Sequence, residues 1–224
     1  MNADAQSLAF STQLIALLAT LMLVTQLLLV VEGMVMNSIR LFALQSFLLA
    51  GVAATIAHFS SATHVYLVAL LTMCGKGIFM PWFLARLTRK TKDDRESKPY
   101  FNAAASVMLC GGFTLLSYIL ARPFTHVERM GSSTLAVAIT LLLTGFFQMI
   151  NRRKALSQVL ALLTMENGIM LAAIALTTYG MPLIVELGIF FDVIIAVMVL
   201  GILVNRIRQT FASMDVSKLT QLKE

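Results

Sequence analysis

Apolar residues fill long, nearly uninterrupted stretches of this chain, and most polar and charged residues lie between those stretches. An α-helix needs about 20 apolar residues to cross the core of a bilayer, and the stretches are of about that length. The strands of a membrane β-barrel alternate apolar and polar residues, and these stretches do not alternate. The pattern therefore predicts an all-α integral membrane protein, in which each helix satisfies its own backbone polar groups.

The apolar stretches predict a bundle of about seven transmembrane helices that form a single domain over residues 1–224. A charged cytoplasmic loop, 87–101, separates the third helix from the fourth, and a cytoplasmic tail covers 206–224. The other connections are short, which favours antiparallel packing of successive helices. The predicted spans are 8–31, 39–57, 64–86, 102–121, 132–150, 155–178 and 183–205.

The distribution of basic residues predicts the orientation of the bundle. An odd number of spans puts the two termini on opposite sides of the membrane. With the N-terminus outside and the C-terminus in the cytoplasm, all Lys and Arg residues except Lys76, Arg122 and Arg129 lie on the cytoplasmic side, as the positive-inside rule requires. The net charge of +6 is then a consequence of topology, and no nucleic-acid partner is needed to explain it.

The composition excludes a soluble domain and gives no sign of a cofactor. Hydrophobic residues make up 58% of the chain and charged residues 12%, whereas soluble domains have about 25% charged residues. The sequence has no phosphate-binding loop, dinucleotide fingerprint, haem motif or zinc-protease motif, and its two cysteines lack metal-site spacing. We therefore expect no metal or cofactor site and no catalytic activity in the chain alone.

Three ionisable residues lie deep within predicted spans, at about 18 Å for Lys76, about 16 Å for Glu166 and about 14 Å for Asp192. A charge near the middle of the bilayer costs at least about 2.5–3.5 kcal/mol, and such residues commonly mark ion pathways. An apolar environment also favours neutral acids and amines, which helps them exchange protons. We expect a proton or ion relay through these residues. The alternative is a structural pairing of Lys76 with one of the acids, which would only cross-link helices.

Two amides and a proline are candidate accessory residues of the relay. Gln45 and Asn167 are expected to hydrogen-bond to neighbouring helices. Pro81 cannot donate a hydrogen bond to the carbonyl of Gly77, four residues earlier. A freed carbonyl and the glycines beside Lys76 predict a kink or a local break of the helix that could admit water.

Three further residues near the outer surface are weaker candidates. Glu186 is either the mouth of a pathway or an acid at the membrane interface. His58 and His64 flank the outer loop between the second and third spans, where a solvated histidine needs no function.

A parallel internal repeat is suggested by two pairs of similar segments. "LFALQSFLLAGVAATIA" is similar to "ALLTMENGIMLAAIA", which sets Gln45 opposite Glu166. "CGKGIFMPWFLARLTRK" is similar to "FFDVIIAVMVLGILVNR", which sets Lys76 opposite Asp192. Both pairs run in the same direction across the membrane, as expected of a duplication. The alternative is the chance similarity of apolar segments.

Several of these segments resemble the hydrogenase-4 component E family. They are "MENGIML", "VELGIFFDVIIAVMVLGILVNRI" and "MDVSKLTQLKE", together with "GKGIFMPW", which is similar to the family's lysine-then-proline segment in its third span. The resemblance implies that the C-terminal part is like the three-helix K-type subunit of respiratory complex I. Glu166 then falls at that subunit's first membrane glutamate, and Asp192 at its second.

The resemblance also implies a setting in the cytoplasmic (inner) membrane of a bacterium or archaeon. There the chain would be a non-catalytic subunit of a hydrogenase-4 or formate hydrogenlyase-like complex that moves protons or sodium. Its partners would be antiporter-like membrane subunits, a complex I-like anchor subunit, and soluble nickel–iron hydrogenase and iron–sulfur subunits. The nickel–iron centre and the iron–sulfur clusters would belong to those partners.

Three other functions are compatible with the sequence. The chain could be a scaffold of the membrane arm that conducts no ions, with its buried acids joining helices. It could be a component of a multisubunit cation/proton antiporter, which also uses K-type subunits. It could also be an independent secondary transporter with a site at the middle of the membrane.

Overall fold

The computed structural model describes residues 2–60, 66, 69–91, 99–124 and 132–176, and the secondary-structure elements in this part of the chain are all helices. Helix α3 is π-helical in its first part and α-helical in its second, and a short 3₁₀ turn, Arg122–Phe124, follows α4. The helices are α1 (Asn2–Val31), α2 (Val35–Ser60), α3 (Thr72–Phe79, then Met80–Thr91), α4 (Ala103–Ala121), α5 (Ser132–Asn151) and α6 (Ala155–Leu176).

Five helical segments in the described residues are long and apolar enough to cross a membrane, as expected of a membrane helix bundle. The seventh predicted span, 183–205, and the tail, 206–224, lie outside the described residues. The number of seven spans and the internal repeat therefore stay predictions. The five segments are Ala9–Val31, Val35–Phe59, Ala103–Phe124, Ser133–Asn151 and Ala155–Leu176.

The helices extend beyond the predicted spans at several ends. Helix α1 begins at Asn2, α2 begins at Val35, and α3 continues to Thr91. Residues 87–91, which the sequence assigns to the cytoplasmic loop, are helical. The reason is physical: apolar residues mark the part of a helix that lies in hydrocarbon, whereas the hydrogen-bonded helix can continue into water.

Helices α1, α2, α5 and α6 form a closed set of contacts through the pairs α1–α2, α2–α6, α5–α6 and α1–α5. Helix α2 packs against α1, α3 and α6, while α5 packs against α1, α4 and α6. Successive helices are therefore neighbours in the pairs α1–α2, α2–α3, α4–α5 and α5–α6. This arrangement places α3 beside α2, and it brings residues of α3 within reach of α6.

Two glycines allow α5 and α6 to approach closely. A Cβ atom on Gly168 would lie 2.9 Å from the backbone nitrogen of Leu142. A Cβ atom on Gly145 would lie 3.0 Å from the backbone nitrogen of Met165. Because backbone cannot move aside as a flexible side chain can, only glycine fits this crossing without a shift of the helices. The glycine of the M-E-N-G segment therefore has a packing role.

The connection between α5 and α6 carries an arginine that caps the end of α1. The guanidinium of Arg152 donates hydrogen bonds to the carbonyl oxygens of Leu29 at 3.0 Å, Val30 at 3.1 Å and Glu32 at 2.8 Å. The last carbonyls of a helix have no partner within it and carry the negative end of the helix dipole. A buried arginine satisfies both needs, so Arg152 fixes α1 against the α5–α6 pair.

Asn151, the last residue of α5, fixes the start of α4. Its side-chain oxygen accepts a hydrogen bond from the backbone N–H of Phe101 at 2.8 Å, and its amide donates to the hydroxyl of Ser106 at 3.2 Å. Asn102 is the N-cap of α4 and accepts from the N–H of Ala105 at 2.8 Å, which is the usual capping geometry.

The buried apolar side chains form two main clusters at different levels of the bundle. The first apolar cluster contains Ile15, Ala19, Met22, Leu49, Val52, Ala53, Ile56, Ala57, Ala69, Val137, Ala138, Leu141, Met170, Leu171 and Ile174. The second apolar cluster contains Leu29, Val35, Ile39, Phe42, Met80, Leu84, Val159, Leu160 and Leu163.

Candidate functional site

A layer of buried polar side chains lies between the two apolar clusters. On α1, α2 and α6, buried amide, hydroxyl or carboxyl side chains lie in the interval between the last residue of one cluster and the first residue of the other, and Lys76 lies between Ala69 of the first cluster and Met80 of the second. The same interval recurs on four helices, so these residues share one level of the bundle. We call Gln26, Gln45, Ser46, Lys76, Glu166 and Asn167 the polar layer; the buried threonines Thr25, Thr72 and Thr164 fall in the same intervals.

The polar layer contains a direct ion pair between α3 and α6. The ammonium nitrogen of Lys76 lies 2.6 Å from the Oε1 atom of Glu166, and their side chains are only 2% and 3% exposed. Of the charged residues predicted to lie deep in the membrane, the structure therefore brings these two together. Asp192 lies outside the described residues.

Lys76 lies in the π-helical part of α3. The backbone N–H of Met80 bonds to the carbonyl oxygen of Gly75, five residues earlier, which is the hydrogen-bond pattern of a π-helix. The next residue, Pro81, has no N–H to donate. The predicted break in the regular helix beside Lys76 thus takes the form of a π segment, Thr72–Phe79. Such segments occur frequently at functional sites.

A chain of hydrogen-bonded amides crosses the polar layer from α6 to α1. The Asn167 amide donates to the Gln45 side-chain oxygen at 3.1 Å and to the Ser46 hydroxyl at 3.3 Å. The Gln45 amide donates to the side-chain oxygen of Gln26 at 3.0 Å. The prediction that Gln45 and Asn167 hydrogen-bond to neighbouring helices is therefore confirmed.

The two ends of this amide chain have hydrogen-bonding capacity left over. Within the described residues, the amide nitrogen of Gln26 and the side-chain oxygen of Asn167 have no hydrogen-bond partner, although both are buried. Buried polar groups are bonded in the great majority of proteins, to protein or to an internal water. The polar layer therefore offers one donor and one acceptor at which water could bind.

The polar layer contains side chains that only form hydrogen bonds and side chains that can carry a charge. Amides and hydroxyls bind and orient, but they do not exchange protons readily at neutral pH. Lys76 and Glu166 are the titratable members and form an ion pair. The layer thus combines one ion pair with an amide chain that joins three helices.

Sequence reasoning missed Gln26 and Ser46 as members of this layer. Gln26 lies in the apolar run "LMLVTQLLLVV", and a lone amide in such a run was the available signal. Ser46 gave a weaker signal, because a serine within a membrane helix commonly bonds to its own helix.

The remaining predicted site residues lie apart from the layer or outside the described part of the chain. His58 is exposed near the end of α2, with its Nδ1 atom 3.3 Å from the hydroxyl of Tyr66. It follows Gln45 by thirteen residues, which places it about 20 Å along the helix from the polar layer. His64 and Glu186 lie outside the described residues.

Comparison with known proteins finds relatives over most of the chain. The uncharacterized protein Rv0085 of Mycobacterium tuberculosis (strain ATCC 25618 / H37Rv) is 34% identical over 159 residues, which cover 70% of this chain and 72% of that protein. Hydrogenase-4 component E of Escherichia coli (strain K12) is 29% identical over 207 residues, which cover 92% of this chain and 95% of that protein. The Shigella flexneri protein of the same name matches to the same extent.

No family model matches the chain, and no solved structure matches it. The relatives nevertheless confirm the resemblance inferred from the M-E-N-G and G-K-G-I-F-M-P-W segments, because the alignment extends over nearly the full length of both proteins. The helices long enough to cross a membrane agree with that assignment. Along nearly its full length, the chain is similar to the proteins named hydrogenase-4 component E.

Proposed function

We propose that this chain is a non-catalytic membrane subunit of a hydrogenase complex, and that its Lys76–Glu166 pair is part of a path for protons or sodium ions. The relatives named hydrogenase-4 component E support the first part of this proposal. The apolar helices support a place in the membrane.

The observation that carries the second part is the ion pair inside the bundle. Lys76 and Glu166 are almost fully buried and lie 2.6 Å apart, between two clusters of apolar side chains. Charges in this position are costly, and membrane proteins that retain them commonly use them to move ions. The π segment around Lys76 is a second irregularity at the same place, and π segments are frequent at functional sites.

The redox chemistry would take place in partner subunits. A nickel–iron centre and iron–sulfur clusters would be held by soluble subunits on the cytoplasmic side, and antiporter-like subunits and a complex I-like anchor would extend the membrane arm. Lys76 and Glu166 would then respond to the redox reaction through changes of charge in the neighbouring subunits.

The test is ion pumping by the assembled complex with Glu166→Gln. Proton uptake into inverted membrane vesicles is measured per hydrogen evolved, and the result is divided by the amount of complex that co-purifies with the chain. We expect a loss of most coupled pumping, because glutamine cannot exchange a proton. The control is Thr144→Val, since the Thr144 hydroxyl is buried and bonds only to carbonyls of its own helix in the described structure. Normal pumping per assembled complex in Glu166→Gln would exclude a role for this residue.

A scaffold without ion conduction is the second candidate function, and the direct contact between Lys76 and Glu166 favours it as well. In a scaffold, the pair would serve to join α3 to α6. Glu166→Gln would then reduce the amount of assembled complex and leave pumping per assembled complex unchanged.

A further inference from the structure

The α-helical part of α3 has one buried side and one exposed side. Met80, Leu84 and Thr88 follow one another at intervals of four residues, and all three are buried. Met80 and Leu84 belong to the second apolar cluster, and the Thr88 hydroxyl bonds to the carbonyl of Leu84. This side of the helix faces the bundle.

The exposed side of α3 carries a stripe that changes from apolar to basic along the helix. We call Phe79, Trp82, Arg86 and Arg89 the outer stripe, because their spacing of three and four residues puts them on one helix face. Phe79 and Trp82 are 56% and 57% exposed, and both arginines are exposed. The stripe therefore faces whatever surrounds the bundle.

The side chains of the outer stripe lie close enough together to form one site. The ring centroids of Phe79 and Trp82 are 6.4 Å apart, and the guanidinium carbon of Arg86 lies 5.6 Å from the centroid of the Trp82 ring. Trp82, Ala85, Arg86 and Arg89 line a cavity of about 380 Å³. This volume is within the range of small-molecule sites.

The order of residues in the outer stripe matches the layers of a bilayer, from the hydrocarbon core to the lipid headgroups. Arg86 follows Lys76 by ten residues, which is about 15 Å along a helix and about half the thickness of the hydrocarbon core. With the polar layer at the middle of the membrane, Arg86 lies at the level of the lipid headgroups and Arg89 about 4 Å further out. Phe79 then lies among the acyl chains, and Trp82 lies between Phe79 and the level of the headgroups.

We propose that the outer stripe of α3 binds an anionic membrane phospholipid. The phosphate group accepts hydrogen bonds from Arg86 and Arg89, the glycerol region contacts Trp82, and an acyl chain packs against Phe79. Arginine binds phosphate oxygens in a bidentate manner, and tryptophan favours the membrane interface. The continuous apolar stretch next to the arginines favours a lipid over an acidic protein segment. This inference requires only that α3 lies in the membrane, and it does not depend on ion transport.

Trp82 allows a direct test, because the chain has a single tryptophan. The full chain is reconstituted into phosphatidylcholine vesicles that contain a small fraction of lipid with brominated acyl chains, which quench tryptophan fluorescence on contact. The brominated lipid is either phosphatidylglycerol, which is anionic, or phosphatidylcholine, which is not. We expect roughly tenfold stronger apparent binding of the anionic lipid, since each arginine near the surface adds to the attraction. High salt should weaken the preference.

Variants then assign the preference to the arginines. Arg86→Gln with Arg89→Gln should make the two brominated lipids quench equally, whereas Arg86→Lys with Arg89→Lys should keep part of the preference because the charge remains. The matched control is Arg153→Gln. Arg153 is exposed and lies 4.3 Å from the centroid of the Tyr100 ring, but it is not part of the outer stripe.

Three outcomes would overturn the proposal. Equal quenching of the unmodified chain by both lipids would mean that the stripe does not select for charge. An unchanged preference in the double glutamine variant would place the lipid elsewhere. Absence of quenching by either lipid would mean that protein, and not lipid, covers the stripe.

Discussion

At the scale of single residues, Lys76 and Glu166 depend on each other. A lone charge in the middle of a membrane helix costs at least about 2.5–3.5 kcal/mol, and breaking a buried ion pair by removing one partner costs about 3–5 kcal/mol. Replacing both partners with apolar residues of similar volume is often neutral or stabilising. The presence of this ion pair is therefore weak evidence that its role is only to stabilise the fold.

The sequence indicated the depth of these two charges, and it left open whether Lys76 pairs with an acid and with which one. Depth follows from counting residues within an apolar run. Contact depends on which helices are neighbours and on how each helix is rotated, and a stretch such as "LLTMENGIMLAAIA" is apolar on all sides. Gln26 was missed for the same reason, since its partner Gln45 lies on another helix.

The amide chain gives a prediction at this scale. Gln45→Leu should lower the free energy of unfolding by about 1–2 kcal/mol, because it removes the hydrogen bonds to both Gln26 and Asn167 and leaves the Asn167 amide with only the Ser46 hydroxyl as acceptor. The measurement is unfolding of the full chain in detergent, with Thr144→Val as the control for loss of a buried polar group. Equal stability of the two variants would contradict the role given to the amide chain.

At the scale of helices, close packing and helix irregularity both originate in glycine and proline. The predicted break near Pro81 could be derived from sequence because proline has a fixed chemical effect on its own helix. The contact between α5 and α6 could not be derived, because a glycine within a membrane helix does not reveal which helix it faces. The end of α3 could not be derived either, since helical hydrogen bonding continues past the last apolar residue to Thr91.

The crossing of α5 and α6 gives a prediction at this scale. Gly168→Ala should destabilise the chain by about 1–3 kcal/mol, because the added methyl group would meet the backbone of α5 at Leu142 and Ala138. The control is Gly75→Ala, since nothing lies within 4 Å of a Cβ atom at that position. Thermal unfolding of both variants in the same detergent compares them. A Gly168→Ala chain as stable as the Gly75→Ala chain would show that the helices are not in close contact there.

At the scale of the whole molecule, a polar layer separates two apolar clusters. Four helices contribute to each of the two clusters, so the ion pair lies where the two clusters adjoin. The class of fold could be predicted from the sequence because a bilayer allows few architectures. The layering could not be predicted, since it arises from the alignment of buried residues on different helices.

The most direct measurement of the central claim is ion pumping by a complex that carries Lys76→Met together with Glu166→Met. The double replacement removes both charges without leaving either one unpaired, so the chain should assemble about as well as the unmodified chain. A role of the pair in ion movement predicts that the assembled complex evolves hydrogen but has lost most proton uptake into inverted vesicles. Unchanged proton uptake per hydrogen evolved, in a fully assembled double variant, would contradict it.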